Sequence, residues 1–278
     1  MQATELSFEF FPPKTAEGLD KLRAARDQLL PLQPKFFSVT FGAGGSTQQG
    51  TLDTVLELAQ DGLDAAPHLS CVGSSRENIR EILQRYRSHQ IHHIVALRGD
   101  LPSGMGEIGA FRYASELVEF IRAETGDWFT VEVAAYPEYH PQSKSPRHDL
   151  DNFARKVKAG ANSAITQYFY NGDAYFRLLD DSAKLGIDVP ITPGIMPITN
   201  FSQLMRFSEM CGAEVPRWIA RRLESYGDDR ASIRAFGLDV VTALCQRLID
   251  GGAPGLHFYT LNNALAARAI CDRLAAAR

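Results

Sequence analysis

The segment Leu6-Ser7-Phe8-Glu9-Phe10-Phe11-Pro12-Pro13 decides the architecture. Its apolar and aromatic residues read as a buried strand. An open doubly wound sheet would place a glycine-rich dinucleotide turn here, whereas this strand runs into two prolines. The same beat continues along the chain. Strands are expected at Leu6–Phe11, Phe36–Thr40, His68–Cys71, Ile94–Leu97, Thr130–Ala135, Ser163–Tyr168, Val189–Pro193 and Leu256–Tyr259. Between them, Leu19, Leu22, Leu29 and Leu30 form an apolar helical stripe, as do Leu52, Val55, Leu56 and Ala59, and then Ile79, Ile82, Leu83 and Tyr86. Further helices are expected over Tyr113–Thr125, Asp149–Ala159, Ala174–Leu185, Phe201–Cys211, Pro216–Tyr226, Ile233–Gly251 and Asn263–Ala276. Eight βα units predict an α/β fold: a single (β/α)8 TIM barrel over residues 1–278, with two extra helices between strands seven and eight.

Composition agrees with one large core, since 45% of the 278 residues are hydrophobic and 22% charged. A net charge of -4 provides no basic field for nucleic acid, so a small-molecule site is the expectation. The N-terminal residues 1–10 lack the pattern of a secretion signal, and no run approaches membrane-spanning length, so a soluble cytoplasmic protein is expected. Cys71, Cys211, Cys245 and Cys271 lie far apart without a C-x-x-C pair, which predicts no metal site and free thiols in a reducing compartment.

A barrel assembles its active site where strands end, and the polar residues there are Glu9, Thr40, His68, Arg98, Asp100, Tyr136, His140, Gln167 and Tyr259. Glu9 sits among aromatic neighbours. Poor hydration there raises a carboxyl pKa and makes Glu9 a general-acid candidate, the competing explanation being a structural carboxylate paired with an arginine. Arg98-Gly99-Asp100 reads equally as a ligand-facing turn or a salt-bridged one.

Gly42-Ala43-Gly44-Gly45-Ser46-Thr47 offers backbone N–H groups to a polar cofactor edge, and Gly104-Met105-Gly106-Glu107-Ile108-Gly109 reads as a mobile loop. Asn152, Arg155 and Lys156 fall at i, i+3 and i+4, expected early in a helix near its positive end, where they suit a diphosphate or form a solvated basic face. His89, His92 and His93 have helix-like metal spacing but no accompanying carboxylate in the segment, so a helix C-terminal cluster is expected. Phe201 and Phe207 default to core aromatics, with Gln203 pointing elsewhere.

Seven segments then form a series: SFEFFPP (7–13), SVTFGAGGST (38–47), ALRGD (96–100), AAYPEYHP (134–141), AGANSAITQYFY (159–170), PGIMPITNF (193–201) and HFYTLN (257–262). In order and over nearly the whole chain, the series resembles the bacterial-type 5,10-methylenetetrahydrofolate reductase family. The resemblance implies a barrel holding FAD noncovalently, with a hydride passing from NADH or NADPH to 5,10-methylenetetrahydrofolate in a ping-pong sequence. The product, 5-methyltetrahydrofolate, would supply methyl groups for methionine synthesis.

By motif matching, the resemblance implies Glu9 as the acid and Asp100 as the flavin-side aspartate. It implies FAD contacts from Thr40, His68, Arg98, Gly99, Asp100, Tyr113, Ala114, Tyr136 and His140. Asp149, Asn152, Arg155 and Lys156 would lie toward the ribose and diphosphate. Folate contacts would come from Glu9, Asp100, Gln167, Gln203, Phe207 and Tyr259. Where the family often has an arginine near the folate, this chain has Asn263.

The chain ends soon after the barrel, so the regulatory region of larger eukaryotic relatives is expected to be absent. Folate and nicotinamide are the expected partners, without nucleic acid or membrane, and a homo-oligomer is compatible with the sequence. Three competing readings are a pterin-binding methyltransferase barrel, a flavin barrel oxidising an amino acid, and a flavin-binding subunit of an electron-transfer complex.

Overall fold

The structure is a computed structural model that describes residues 4–41, 48–99 and 109–276. In chain order it runs β1 (Glu5–Phe10), α1 (Ala16–Leu29), β2 (Phe36–Val39), α2 (Gln48–Gln60), β3 (Ala65–Ser70), α3 (Arg76–Ser88), β4 (His93–Leu97), α4 (Ala114–Thr125), β5 (Thr130–Ala135), α5 (Pro146–Lys158), β6 (Ser163–Thr166) and α6 (Gly172–Lys184). It continues through β7 (Ile191–Thr192), β8 (Gly194–Ile195), α7 (Phe201–Cys211), α8 (Arg217–Ser225), α9 (Arg230–Asp250), β9 (Gly255–Tyr259) and α10 (Ala264–Ala276). α7 and α8 are the two extra helices before α9 returns the chain to β9.

The strands form one sheet in the order β7-β6-β5-β4-β3-β2-β1-β9-β8, with neighbours paired in parallel. Its two ends, β7 and β8, are consecutive pieces of one segment, so the ring closes as a TIM barrel. This corrects the single strand expected over Val189–Pro193. Pro193 has no N–H to give the ladder, and the segment breaks into two short pieces on either side of it. Its carbonyl still accepts from His257 N at 3.0 Å, while Pro190 O accepts from Ala164 N at 2.9 Å, tying the segment to both neighbours.

Strand alternation sorts the side chains into two cores. Phe8 and Phe10 face the helical shell and pack in one cluster with Leu22, Leu29, Leu52 and Val55. Phe36, Ala66, Val95 and Ile165 form a separate lumen cluster with Leu97 against it. Ser7 and Glu9 share the lumen, because they are the alternates of Phe8 and Phe10. Among the described residues, no helix is long and apolar enough to cross a membrane.

Helix starts follow local capping chemistry. Ser145 Oγ accepts from His148 N at 3.2 Å and Pro146 occupies the first turn, so α5 begins three residues before the expected Asp149. The shift matters for the flavin-side residues described below.

Candidate active site in the barrel lumen

Glu9 lies on β1 in register with Ser38 on β2 and Tyr259 on β9, and it is only 7% exposed. Its Oε2 is 3.4 Å from His68 Nε2 across the lumen and 3.8 Å from His257 Nε2 on the neighbouring strand. No arginine pairs with Glu9 among the described residues, so the lumen supplies imidazoles where the competing explanation required a guanidinium. The cause of its desolvation also differs from the expected one. Phe8 and Phe10 point away to the helices, and Glu9 is dried by its place inside the barrel.

Burial pushes the Glu9 carboxyl above its ordinary range, with the attraction of His68 pulling partly against that. His68 is pushed down by burial, opposed by Glu9 and reinforced by His257. His257 is pushed down by burial to about 4. All three groups therefore favour their neutral forms. His257 Nδ1 is 2.8 Å from Ser7 Oγ, and its Nε2 is 3.5 Å from Ser38 Oγ, so the ring is held from both sides.

The backbone beneath Glu9 is equally fixed. Thr260 Oγ1 donates to Glu9 O at 2.6 Å, and Asn262 clamps Phe11 through Phe11 N to Oδ1 and Nδ2 to Phe11 O, both at 2.8 Å. Leu261 and Asn262 adopt positive φ of 52° and 58° to make this turn.

Tyr259 completes one wall. Its hydroxyl donates to Thr166 O at 2.7 Å, and Thr166 Oγ1 accepts from Gly194 N at 2.9 Å. A Cβ on Gly194 would lie 2.1 Å from Thr166 O and 2.7 Å from Tyr259 Cε2, so only glycine permits this approach. Gln167 follows β6, where its Oε1 accepts from Tyr168 N at 3.0 Å. Gln203 and Phe207 lie four residues apart on one face of α7. Asn200 caps that helix, with its Oδ1 accepting from Gln203 N at 2.8 Å. Phe201 packs on the core as expected, whereas Phe207 is half-buried outside that packing, with Arg206 over its ring at 5.3 Å.

The flavin-side residues occupy neighbouring strand ends. Thr40 follows β2; its Oγ1 is buried with no hydrogen-bond partner among the described residues, and His68 Nε2 likewise has no aligned hydrogen bond. Buried polar atoms in that state fit a polar ligand. Arg98 donates from Nε to Gly99 O at 3.1 Å and from Nη2 to Gln142 Oε1, so no salt-bridged turn forms among the described residues. Gly99 has φ of 87°, and a Cβ there would meet Ser70 Oγ at 2.0 Å. Asp100, the segment 42–47 and residues 104–108 of the second glycine-rich loop lie outside the described residues. Tyr113 caps α4 ahead of Ala114, its N–H shared with Glu116 Oε2 at 3.4 Å. The Tyr136 and His140 rings meet edge to face at 4.8 Å.

On α5 the expected geometry needs correction. Because the helix starts at Pro146, Arg155 and Lys156 fall in its last turn, away from the positive end of its dipole. Arg155 is exposed and donates to Asn152 Oδ1 at 3.3 Å, while Asn152 Nδ2 lies 3.2 Å from His148 Nδ1. Lys156 turns inward to Ala134 O on β5, and burial lowers it to about 8 against the attraction of Asp149. Burial raises Asp149, with Lys156 and His140 opposing. The dipole rationale for a diphosphate is thus lost, and the polar group gathered by the fold is Lys156, Asp149, His140 and Arg98.

His257 escaped the linear reading, although its spacing two residues before Tyr259 places it on the same strand face. His93, expected in a helix C-terminal cluster, instead begins β4 and lies 3.4 Å from both Asp64 Oδ2 and Glu132 Oε1. The fold therefore supplies the carboxylates that the histidine segment lacks, and only His89 remains at the C-terminus of α3.

Comparison with known proteins places this geometry. The family profile described as Methylenetetrahydrofolate reductase matches residues 1–275. The chain is 43% identical to the 5,10-methylenetetrahydrofolate reductases of Escherichia coli (strain K12) and Pectobacterium carotovorum over 270 residues, 97% of this chain and 90% and 89% of those proteins. It is 37% identical to Methylenetetrahydrofolate reductase (NADH) 1 of Arabidopsis thaliana, covering 93% of this chain and 46% of that longer protein. Among solved structures, an uncharacterized Clostridium thermocellum protein described as binding two copies of 5-methyl-5,6,7,8-tetrahydrofolic acid superposes with a TM-score of 0.67 at 14% identity, covering 97% and 94% of the two chains. That likeness bears on the fold alone. With a profile match over almost its full length and close full-length relatives, the chain belongs to the methylenetetrahydrofolate reductase family.

Proposed function

We propose that the chain acts as one catalytic barrel domain reducing 5,10-methylenetetrahydrofolate to 5-methyltetrahydrofolate, with FAD as bound cofactor and NADH or NADPH as hydride donor. The observation that carries this reading is a lumen carboxyl, Glu9, held toward its neutral form between two buried imidazoles. A carboxyl held toward its neutral form has a proton to give. Opening the imidazolidine ring of the substrate requires a proton on the departing nitrogen, and the resulting iminium carbon accepts hydride. FAD supplies the hydride relay when bound.

The chain's own residues divide the remaining work. Glu9 holds and delivers the proton, while His257 and Thr260 hold Glu9 in position. Tyr259, Gln167 and Gln203 line the folate side, and Phe207 offers its ring for stacking. Thr40, His68, Arg98, Gly99, Tyr113, Ala114, Tyr136 and His140 would hold the flavin, with Asp149, Asn152, Arg155 and Lys156 toward its ribose and diphosphate. Asp100 would place a negative charge near the developing cation.

Purified protein should show a flavin absorbance band and release FAD on denaturation. Anaerobic NADH or NADPH should bleach that band, and methylenetetrahydrofolate should restore it. A flavin-bearing protein that is reduced by neither nicotinamide would overturn this reading in favour of an electron-transfer subunit.

A further inference from the structure

We propose that Tyr168 is a positioning residue for the folate side of the lumen: its hydroxyl, bound to Ser208, sets the rotation of α7 and with it the direction of Gln203 and Phe207. The proposal rests on the reductase reading above and concerns the same site. Tyr168 is not itself among the substrate contacts of that reading.

α7 meets the barrel through two buried side chains, Leu204 and Ser208, with Phe201 and Cys211 partly buried at its ends. Leu204 and Ser208 stand four residues apart and share one face. Gln203 and Phe207 each come one residue earlier, which puts them about 100° around the helix from the buried pair. The rotation of α7 therefore decides where they point. A turn of about 20° carries a side chain at the helix's outer radius by about 2 Å. Displacements of that size spoil the alignment of a reacting substrate.

Leu204 cannot fix that angle alone, because apolar packing is non-directional, whereas a hydrogen bond has a preferred distance and angle. Ser208 supplies the directional contact. Its Oγ lies 3.1 Å from the Tyr168 hydroxyl, both side chains are buried, and the Cys211 thiol, one turn along α7, lies beside the same phenol.

Tyr168 is in turn fixed from the barrel side. It follows β6 by two residues, its backbone N–H donates to Gln167 Oε1 at 3.0 Å, and its ring meets Tyr259 edge to face at 6.2 Å. One residue thus joins Gln167, Tyr259 and the helix that carries Gln203 and Phe207.

The ends of α7 are held separately. At its start Asn200 Oδ1 accepts from Gln203 N at 2.8 Å, and beyond its end Glu138 Oε2, on the loop after β5, accepts from Glu214 N at 2.7 Å. Gly212 closes the helix with φ of 74°, so near that loop that a Cβ would lie 2.6 Å from Pro141 Cγ. Because both ends stay anchored, loss of the Tyr168 hydroxyl should leave α7 attached and free only its rotation.

The test compares Tyr168→Phe, Ser208→Ala and the double variant as FAD-bound proteins, measuring KM for methylenetetrahydrofolate, FAD affinity and Tm. Tyr175→Phe is the control, since its hydroxyl is also buried but donates to Ile191 O of β7 at 2.8 Å. Both tyrosine variants should lower Tm, and only Tyr168→Phe should raise folate KM, by about fivefold for the loss of one net hydrogen bond, with FAD affinity unchanged. Ser208→Ala should match it, and the double variant should be no worse than either single one, because both remove the same bond. A folate KM within twofold of the parent in Tyr168→Phe overturns the proposal. So does a double variant whose effects multiply, or an equal KM rise in Tyr175→Phe, which would reduce Tyr168 to general barrel stability. Should Ser208→Ala fail to fold, Tyr168→Phe against Tyr175→Phe decides alone. If the parent protein does not reduce methylenetetrahydrofolate at all, the reductase reading itself fails, and this proposal falls with it.

Discussion

His68 Nε2 lies 3.4 Å from Glu9 Oε2 although β2 separates their strands, so the contact exists only because the sheet curves into a barrel. Burial then acts on both partners in opposite senses, raising the acid and lowering the base, and the pair is held near neutrality. A neutral carboxyl is useful only in the half-reaction that consumes a proton.

Glu9→Gln is therefore expected to slow reoxidation of reduced flavin by methylenetetrahydrofolate on the order of 10²–10⁴-fold, while reduction by the nicotinamide changes little. In the parent enzyme the folate half-reaction should fall as pH rises through the elevated Glu9 pKa, because the acid form is then lost. The same raised pKa means that Glu9 opposes folding increasingly from the ordinary carboxylate range up to that value. Stopped-flow absorbance separates the two half-reactions. A Glu9→Gln variant reducing folate at the parent rate would place the donor elsewhere.

His93 predicts the pH dependence of stability. Burial opposes its charge, but the carboxylates of Asp64 and Glu132 outweigh that and raise it to about 9. A histidine raised from its ordinary 6.5 contributes stability that is complete below pH 6.5 and lost as pH rises through about 9. The contribution is on the order of 3 kcal/mol. Thermal melts from pH 6 to 9.5 should show this decline, and His93→Gln should remove it. A parallel decline in both proteins would assign the effect to other groups.

Gly194→Ala should destabilise the barrel by about 1–3 kcal/mol, because the new methyl meets Thr166 O and the Tyr259 ring well inside contact distance. Displacing Tyr259 should also raise KM for the folate. Denaturation midpoints and folate KM measured together test this. An unchanged protein on both counts would show that the β6–β8 approach relaxes freely.

Lys156 and Arg155 should no longer act as equals toward the flavin. Lys156 turns into the barrel wall beside Asp149, whereas Arg155 is exposed and engages only Asn152 among the described residues. Lys156→Gln is expected to weaken FAD retention about tenfold, with Arg155→Ala within about twofold of the parent. Fluorescence titration of apoprotein with FAD measures both. The reverse ranking would restore Arg155 as a phosphate contact.

The strand–helix beat, the extra helices and most element boundaries were readable directly, because burial alternates locally along a strand and every third or fourth residue along a helix. The start of α5, expected at Asp149, was signalled by the adjacent Ser145-Pro146 but not read there, and the unbroken strand expected over Val189–Pro193 overlooked the missing N–H of Pro193. The candidate site was also present as residue types, since Tyr259 ends β9, Glu9 lies one residue from the end of β1 and His68 two residues from the end of β3.

Their meeting was not readable, because it depends on ring closure. β1 pairs with β9 across roughly the whole chain, and only then does His257 come to 3.8 Å from Glu9 while Asp64 and Glu132 converge on His93. Local propensity determines which face a side chain occupies; the curvature of the closed sheet determines which faces look at one another. Sequence alone therefore determined the fold class and marked Glu9 as a candidate acid, and the tertiary structure decided the company that carboxyl keeps, because desolvation and pairing are properties of a shared lumen and not of a segment.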